Sequence, residues 1–358
     1  MDLQVLRPYA WAFVLALFVP ASWVLELASG PGVPVFIATG FGIIPLAWFM
    51  GLATEELGKH AGPGIGGFLN ATFGNATELI IALFILFSAL PQAAKISIVT
   101  ASLTGSVIGN ILLILGMSMV AGGLRHKNQV FSREASAIQT SMLLLAVVGL
   151  VMPALYARST GATSVILEEM SLGIAGILIA AYALGLVFSL RTHRDIFNPE
   201  TEETPQWSLR TALIVLVTCA VLVGVESELL VGSLEVARTN LALNDLFLGV
   251  IVVAIVGNAA EHSGAVLMAY RNKMELSVAI ATTSTTQIAL FVAPILVFVS
   301  LLTTRVLTLD FEIFELVSIA LSTGVLAAVV SDGRSNWYEG VLLIMVYAII
   351  GVAFFFHP

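Results

Sequence analysis

The chain has 358 residues, of which 58% are hydrophobic and only 11% are charged, and its mean hydropathy is +1.01. A soluble domain carries about a quarter charged residues, so this composition excludes a soluble globular protein. The net charge of −8 is small and spread over loops, which argues against a nucleic-acid-binding surface.

Apolar segments long enough to cross a bilayer follow one another along the chain. A hydrocarbon core of about 30 Å needs roughly 20 apolar helical residues. Charged, proline and glycine clusters separate six such segments in the first half, near residues 8–28, 33–54, 66–90, 94–122, 135–156 and 168–190. After a polar, acidic linker at 191–207 come five more, near 208–232, 244–270, 275–303, 311–331 and 336–356. We therefore predict an all-α transmembrane protein of eleven helices.

The positions of the Lys and Arg residues predict the orientation of these spans, because cytoplasmic loops carry an excess of both. With the N-terminus inside, the cytoplasmic side receives Arg7, Lys59, Arg125, Lys127, Arg133, Arg191, Arg194, Arg210, Arg271, Lys273 and Arg334. The outer side receives only Lys95, Arg158, Arg238 and Arg305. The sequence thus predicts a multi-pass protein with a cytoplasmic N-terminus and linker and an extracytoplasmic C-terminus.

A five-residue motif occurs twice, as Gly-Asn-Ala-Thr-Glu at 74–78 and as Gly-Asn-Ala-Ala-Glu at 257–261. A second resemblance joins Thr54-Glu55-Glu56-Leu57 to Ser227-Glu228-Leu229-Leu230. We therefore predict two repeats of five spans, 31–190 and 208–358, with residues 1–30 forming a first helix outside them. Because five is an odd number, the second repeat enters the membrane inverted, as in many secondary transporters.

Each motif places a carboxylate in the middle of a span that contains no Lys or Arg, at Glu78 and at Glu261. Such acids usually face a cavity, a partner or an ion, because their burial in a bilayer costs a few kcal/mol. Asn75 and Asn258 precede them by three residues and share their helix faces. Two carboxylates with two amide oxygens suit Ca²⁺, which takes six to eight oxygen ligands.

Protons compete with such a cation for the same two acids. Burial and like-charge proximity both favour the neutral form of a carboxyl group, so two protons or one divalent cation leave an equally neutral site. We expect Ca²⁺ and H⁺ to exchange at Glu78 and Glu261 by alternating access. The transported Ca²⁺ would be a substrate, and the sequence indicates neither a cofactor nor an obligate protein partner.

At these motifs the chain resembles the cation/proton exchanger (CAX) family of the calcium/cation antiporter superfamily, in its prokaryotic form. The resemblance runs over nearly all of the chain and also rests on segments 53–57, 69–73 and 287–294. It implies a Ca²⁺/H⁺ antiporter whose central ligands are Glu78 and Glu261, with oxygens of Gly74, Asn75, Gly257 and Asn258 nearby. The short N-terminus and modestly acidic linker favour a plasma membrane over a vacuolar one.

Other polar residues of the spans have two interpretations each. Acids at span ends are either solvated boundary residues or pathway and gate groups: Glu55, Glu56, Glu226 and Glu228. Hydroxyl and amide residues either face the central site or only join helices: Ser106, Asn110, Ser284, Thr286 and Gln287. His262 points away from Glu261 along the helix, and the absence of zinc-binding spacings argues against a zinc enzyme.

Three rival functions remain open from the sequence. A Na⁺/Ca²⁺-type exchanger would need further intramembrane carboxylates for several Na⁺ ions, where the fourth and ninth spans offer only amides and hydroxyls. A cation channel would normally be built around a symmetry axis rather than from inverted halves. For an intramembrane enzyme, no pairing of a nucleophile with a base is evident.

Overall fold

The computed structural model describes residues 10–161, 163–197, 204–303 and 306–357, and these are almost entirely helical. The helices of the first half are α1 Ala10–Ser29, α2 Val33–Phe73, α3 Ala76–Phe87, α4 Gln92–Gly123, α5 Arg133–Thr160 and α6 Ser164–Thr192. Those of the second half are α7 Leu209–Leu241, α8 Asp245–Gly257, α9 Ala259–Tyr270, α10 Met274–Leu302, α11 Ile313–Asp332 and α12 Trp337–Phe355. One further turn, Arg194–Phe197, lies between the halves.

The number of membrane spans differs from the predicted eleven. Within the described part of the chain, nine helices are long and apolar enough to cross a membrane, or ten when the bent pair α8 and α9 is counted as one. The predicted span near 66–90 instead falls on the end of α2 and on α3, which has only 12 residues. The all-α transmembrane fold is confirmed, whereas the count of eleven is not.

Small residues allow the central helices to approach closely. The α4 segment is almost wholly buried, while α1, α6 and α12 expose apolar side chains such as Leu17, Leu184 and Ile349 that suit contact with lipid. A Cβ atom added at Gly105 of α4 would collide with the main chain of Val250 in α8. Interfaces between helices in membranes use glycine in this way.

Loops gather at two opposite ends of the bundle. At one end, β1 Gln129–Val130 pairs antiparallel with β2 Arg334–Ser335, and the Gln129 side chain donates to the carbonyl of Ala269 at 2.8 Å. At the other end, Arg158 binds Asp310 at 2.8 Å. The first end carries most of the basic residues assigned above to the cytoplasm, whereas Arg7 and Arg305 lie outside the described residues.

Two helix breaks lie at the repeated motif. Asn75 separates α2 from α3 with φ −101° and ψ 29°, and Asn258 separates α8 from α9 with φ −88° and ψ 15°. The axes of α8 and α9 differ in direction by 61°. Turns of π-helix lie nearby at Gly109–Ile114, Leu248–Val253 and Ile288–Val292, and such irregularities are frequent at functional sites.

Candidate cation-binding site

The two breaks bring the motif residues of both halves together inside the bundle. Asn75 and Asn258 are buried at the breaks, and Glu78 and Glu261 lie in the first turns of the helices that follow. Gly257 packs against Glu78, because a Cβ atom added there would lie 3.1 Å from Cγ of Glu78. The two carboxyl groups are close enough to interact electrostatically.

Several oxygen atoms at this point are buried and accept no hydrogen bond from any residue that the structure describes. They are both carboxyl oxygens of Glu78, Oε2 of Glu261, Oδ1 of Asn258 and, in the adjoining network, Oδ1 of Asn110. A buried acceptor left unpaired costs about 1–3 kcal/mol, and more when charged. Glu78 is only 4% exposed, whereas Glu261 is partly exposed. The arrangement suits a proton or a cation that binds between the carboxyl groups.

Hydrogen bonds connect each motif to the opposite half of the chain. Nδ2 of Asn258 donates to Oγ of Ser106 at 2.8 Å. Nδ2 of Asn110 donates to Oγ of Ser284 at 2.9 Å, and Ser284 in turn donates to Oδ1 of Asn75 at 2.7 Å. The predicted polar residues Ser106, Asn110 and Ser284 therefore lie beside the motif residues. They also make the two asparagines different, because Oδ1 of Asn75 already accepts a hydrogen bond from Ser284, whereas Oδ1 of Asn258 accepts none from the described residues.

Gln287 completes this network on the side of α6. Nδ2 of Asn75 donates to Oε1 of Gln287, and Tyr182 of α6 also hydrogen-bonds to Gln287. The ring of Tyr182 lies 5.3 Å from that of Phe291. Tyr182 was not among the residues singled out in the sequence, where an isolated tyrosine in an apolar span gives no signal.

The acids Glu55 and Glu56 of α2 make contacts other than those with the motif residues. Lys59 binds Glu55 at 2.8 Å and Glu56 at 3.0 Å, and Glu55 is exposed. Oε2 of Glu56 accepts from the main-chain N–H groups of Gln206 at 2.6 Å and Trp207 at 2.8 Å. Glu56 thus ties the end of the linker to α2, a contact that the sequence did not indicate.

The remaining predicted residues are Glu228, Thr286, Gly74, Gly257 and His262. Glu228 is exposed on α7, and Thr286 donates to Gln139 of α5 at 3.1 Å. Gly74 directly precedes the break at Asn75, and His262 is partly buried beside Glu261. A role of Glu228 in the pathway, like the roles of the main-chain oxygens of Gly74 and Gly257 as ligands, stays a prediction.

Two buried acids outside the motifs also have specific partners. Glu315 of α11 is fully buried, accepts from Thr104 at 3.1 Å, and accepts from the main-chain N–H of Glu312 at 2.9 Å. Glu226 of α7 is likewise fully buried against α1. The criterion of an acid inside an apolar span would have found Glu315, which was overlooked, while Glu226 was assigned to a span end.

The donor set at the motifs is that of a hard cation. The described residues contain no group of three or more His, Cys, Asp and Glu side chains that could hold a metal ion. Oxygens from two carboxylates and an amide, however, are ligands that Ca²⁺ accepts together with carbonyls and water. Nitrogen and sulfur ligands, which a structural zinc ion prefers, are not part of this set.

Known proteins match the chain over nearly its whole length. The Ca(2+)/H(+) antiporter of Synechocystis sp. is 45% identical over 96% of this chain and 97% of its own. The Ca(2+)/H(+) antiporter ChaA of Bacillus subtilis (strain 168) is 43% identical, covering 96% and 97%. The structure of native YfkE has a TM-score of 0.85 and 39% identity, covering 97% of this chain and 100% of that chain. Since the sodium/calcium exchanger protein model also matches residues 32–191 and 211–356, the chain belongs to that family.

Proposed function

We propose that this membrane protein is a Ca²⁺/H⁺ antiporter that exchanges cytosolic Ca²⁺ for external H⁺. The observation that carries the proposal is the pair of intramembrane acids Glu78 and Glu261, whose buried oxygens lack donors among the described residues. The two antiporter relatives, similar along their full lengths, support the same substrate pair.

The chemistry follows from the charge of the site. Glu78 and Glu261 together carry two negative charges when ionised, which one Ca²⁺ or two protons neutralise. A low-dielectric site accepts the neutral combinations most readily. Oδ1 of Asn258 adds an uncharged oxygen ligand. Passage through an occluded state then requires one ligand or the other, which couples the two fluxes.

The proposed mechanism requires the architecture of an alternating-access transporter. We assign five spans to each of the inverted repeats 31–190 and 208–358, because equivalent breaks at Asn75 and Asn258 meet at one site. The end of the bundle that holds β1 and β2 faces the cytoplasm, since most of the described Lys and Arg residues lie there. With that orientation we propose a cytoplasmic N-terminus, an extracytoplasmic C-terminus and a location in the plasma membrane.

The Na⁺/Ca²⁺-type alternative differs in what it requires of α4 and α10. Several Na⁺ ions beside Ca²⁺ would call for more intramembrane carboxylates. At the motif contacts these two helices supply Ser106, Asn110, Ser284 and Gln287, which are uncharged. A channel or an enzyme would show no exchange of Ca²⁺ against a proton gradient, so the same assay separates all of these functions.

The test is ⁴⁵Ca²⁺ uptake into proteoliposomes that have an acidic interior and contain no Na⁺. Uptake should collapse on addition of a protonophore, and Glu78→Gln and Glu261→Gln should each abolish it. Glu134→Gln, at an exposed acid in the first turn of α5, is the matched control and should retain uptake. Uptake that ignores the protonophore, or that requires a Na⁺ gradient, would overturn the proposed exchange while leaving the family assignment intact.

A further inference from the structure

A buried carboxyl group joins α1 to α7 and α2, away from the motif residues. Trp23 Nε1 lies 2.7 Å from Oε1 of Glu226, and Ser22 Oγ lies 3.0 Å from both carboxyl oxygens. On the side of α2 the neighbour is Gly42, where an added Cβ atom would lie 3.2 Å from Oε2 of Glu226. Glu226 and Ser22 are both fully buried.

The count of protons at this junction indicates the state of the carboxyl group. Ser22 Oγ is also 2.7 Å from the carbonyl of Val19, and its single proton can serve either that carbonyl or Glu226. If Glu226 is protonated, its O–H donates to Ser22 Oγ, Ser22 donates to Val19, and Trp23 donates to Oε1. Both close contacts of Ser22 Oγ, with Val19 and with Glu226, then contain a proton, whereas an ionised Glu226 leaves one of these two oxygen–oxygen contacts without one.

No cation of the described residues approaches this carboxyl group. The elements that pack against α7 here are α1, α2 and α3. Within its own helix, Arg210 and Arg238 are more than three turns from Glu226, and Arg238 binds Glu235 and Asp245. The titratable groups of these four helices other than Glu226 are Glu26, Glu55, Glu56, Lys59, His60, Glu78, Arg210, Cys219, Glu228, Glu235 and Arg238.

The basic residues on α1, α2 and α3 are Lys59 and His60 of α2. Lys59 binds Glu55 and Glu56, and His60 contacts the carbonyl of Trp207 at 2.7 Å. Glu26 lies one turn beyond Ser22 on α1, and its Oε2 is buried with no partner among the described residues. No cation of the described residues of these helices therefore lies beside Glu226 to compensate an ionised carboxylate.

We propose that Glu226 is a second proton-binding site, separate from the transport site, whose protonated form latches α1 onto α7 and α2. Loss of the proton leaves an uncompensated charge between apolar helices and releases α1. The latch bears on transport through Gly42, because α2 runs from this contact to the break at Asn75. Protonation of Glu226 would thus control how α1 packs against α2, the helix that leads to the motif at Asn75.

Infrared spectroscopy tests the proton itself. The purified protein with Glu78→Gln and Glu261→Gln should show the C=O stretch of a protonated carboxylic acid. Glu315 is also fully buried and can contribute to this band. Glu26→Gln should leave the band unchanged, and Glu226→Gln should remove one component. Ser22→Ala should move it to higher frequency, because the acid O–H loses its acceptor. A spectrum that is unchanged by both Glu226→Gln and Ser22→Ala would overturn the proposal, and the Ser22 comparison decides alone if Glu226→Gln fails to fold.

Distance measurements test the latch. Spin labels at the exposed positions Val24 of α1 and Val221 of α7, in a Cys219→Ala background, report the separation of the two helices. This distance should lengthen over the pH range in which the Glu226 component of the infrared band disappears, and should stay short in Glu226→Gln, whose amide can still donate to Ser22. A distance that remains constant while this component titrates would overturn the latch. Neither readout uses Ca²⁺, so the result is independent of the transport function.

Discussion

The side-chain amide of Asn258 donates to the hydroxyl of Ser106 at 2.8 Å and so fixes the motif of the second half against α4. Its other amide proton serves the carbonyl of Ala254 at 2.8 Å. Both donors are used, and Oδ1 is left buried with no donor among the described residues. At Asn75 the equivalent oxygen accepts from Ser284. Ser106 is therefore a positioning residue for Oδ1 of Asn258, one of the amide oxygens that have no donor among the described residues.

Removing the Ser106 hydroxyl should weaken Ca²⁺ binding without abolishing exchange. We expect Ser106→Ala to raise the Ca²⁺ concentration for half-maximal uptake by up to about tenfold, since a hydrogen bond contributes about 0.5–1.5 kcal/mol. Ser118→Ala is the matched control, because Ser118 is also buried on α4 but its hydroxyl has no partner among the described residues. Equal shifts in the two variants would contradict a positioning role.

Competition between Ca²⁺ and protons should appear in the pH dependence of binding. If Glu78 and Glu261 both hold a proton in the absence of cation, one Ca²⁺ displaces two protons. Binding then strengthens as pH rises, by about a hundredfold in Kd per pH unit while both acids remain protonated. Calorimetric titrations in buffers with different ionisation enthalpies count the protons directly. Release of a single proton per Ca²⁺ would contradict the paired role of the two acids.

The sequence predicted Glu78 and Glu261 because two independent signals coincide at these positions. Glu78 and Glu261 are carboxylates in apolar spans, and a repeated motif places an amide three residues before each. The repeat gives no sign that Oδ1 accepts a hydrogen bond in Asn75 but not in Asn258, because four of the five motif residues are identical. The difference depends on the serine partners Ser284 of Asn75 and Ser106 of Asn258, which are 209 and 152 residues away in the chain.

Contacts between distant segments also explain the predictions that differ from the structure. The breaks at Asn75 and Asn258 are stabilised by hydrogen bonds to α10 and α4, which a hydropathy profile along one span cannot reveal. The third predicted span is consequently divided between α2 and α3. The partners of Glu56, Gln206 and Trp207, are 150 and 151 residues away in sequence, so nothing in the sequence indicated this contact, and a pathway role of Glu56 stays a prediction.

The contact between Glu56 and the linker should be detectable by proteolysis. Glu56→Gln removes the charge that holds the main-chain N–H groups of Gln206 and Trp207, and charged hydrogen bonds are about twice as strong as neutral ones. We expect faster protease cleavage within 191–207 in this variant. Glu55→Gln is the control, because Glu55 binds the same Lys59 but is exposed. Equal cleavage rates in both variants would mean that Glu56 does not hold the linker.

The crossing of α4 with α8 offers a comparison between two glycines one turn apart. A Cβ atom at Gly105 would collide with main-chain atoms of Val250, whereas at Gly109 nothing lies within 4 Å. A clash with main chain cannot be relieved by a change of rotamer, so Gly105→Ala should cost at least the ~1–3 kcal/mol typical of overpacking. Gly109→Ala should leave stability unchanged or slightly raised, since alanine favours the helix by up to about 1 kcal/mol.

Thermal unfolding in detergent, followed by size-exclusion chromatography of the heated samples, compares the two glycine variants. We expect the melting temperature of Gly105→Ala to fall clearly below that of the parent and that of Gly109→Ala to stay within error of it. If the Gly105 variant is as stable as the parent, the two helices can separate without cost. The close crossing would then not be what holds α4, with Ser106 and Asn110, beside the motif of the second half.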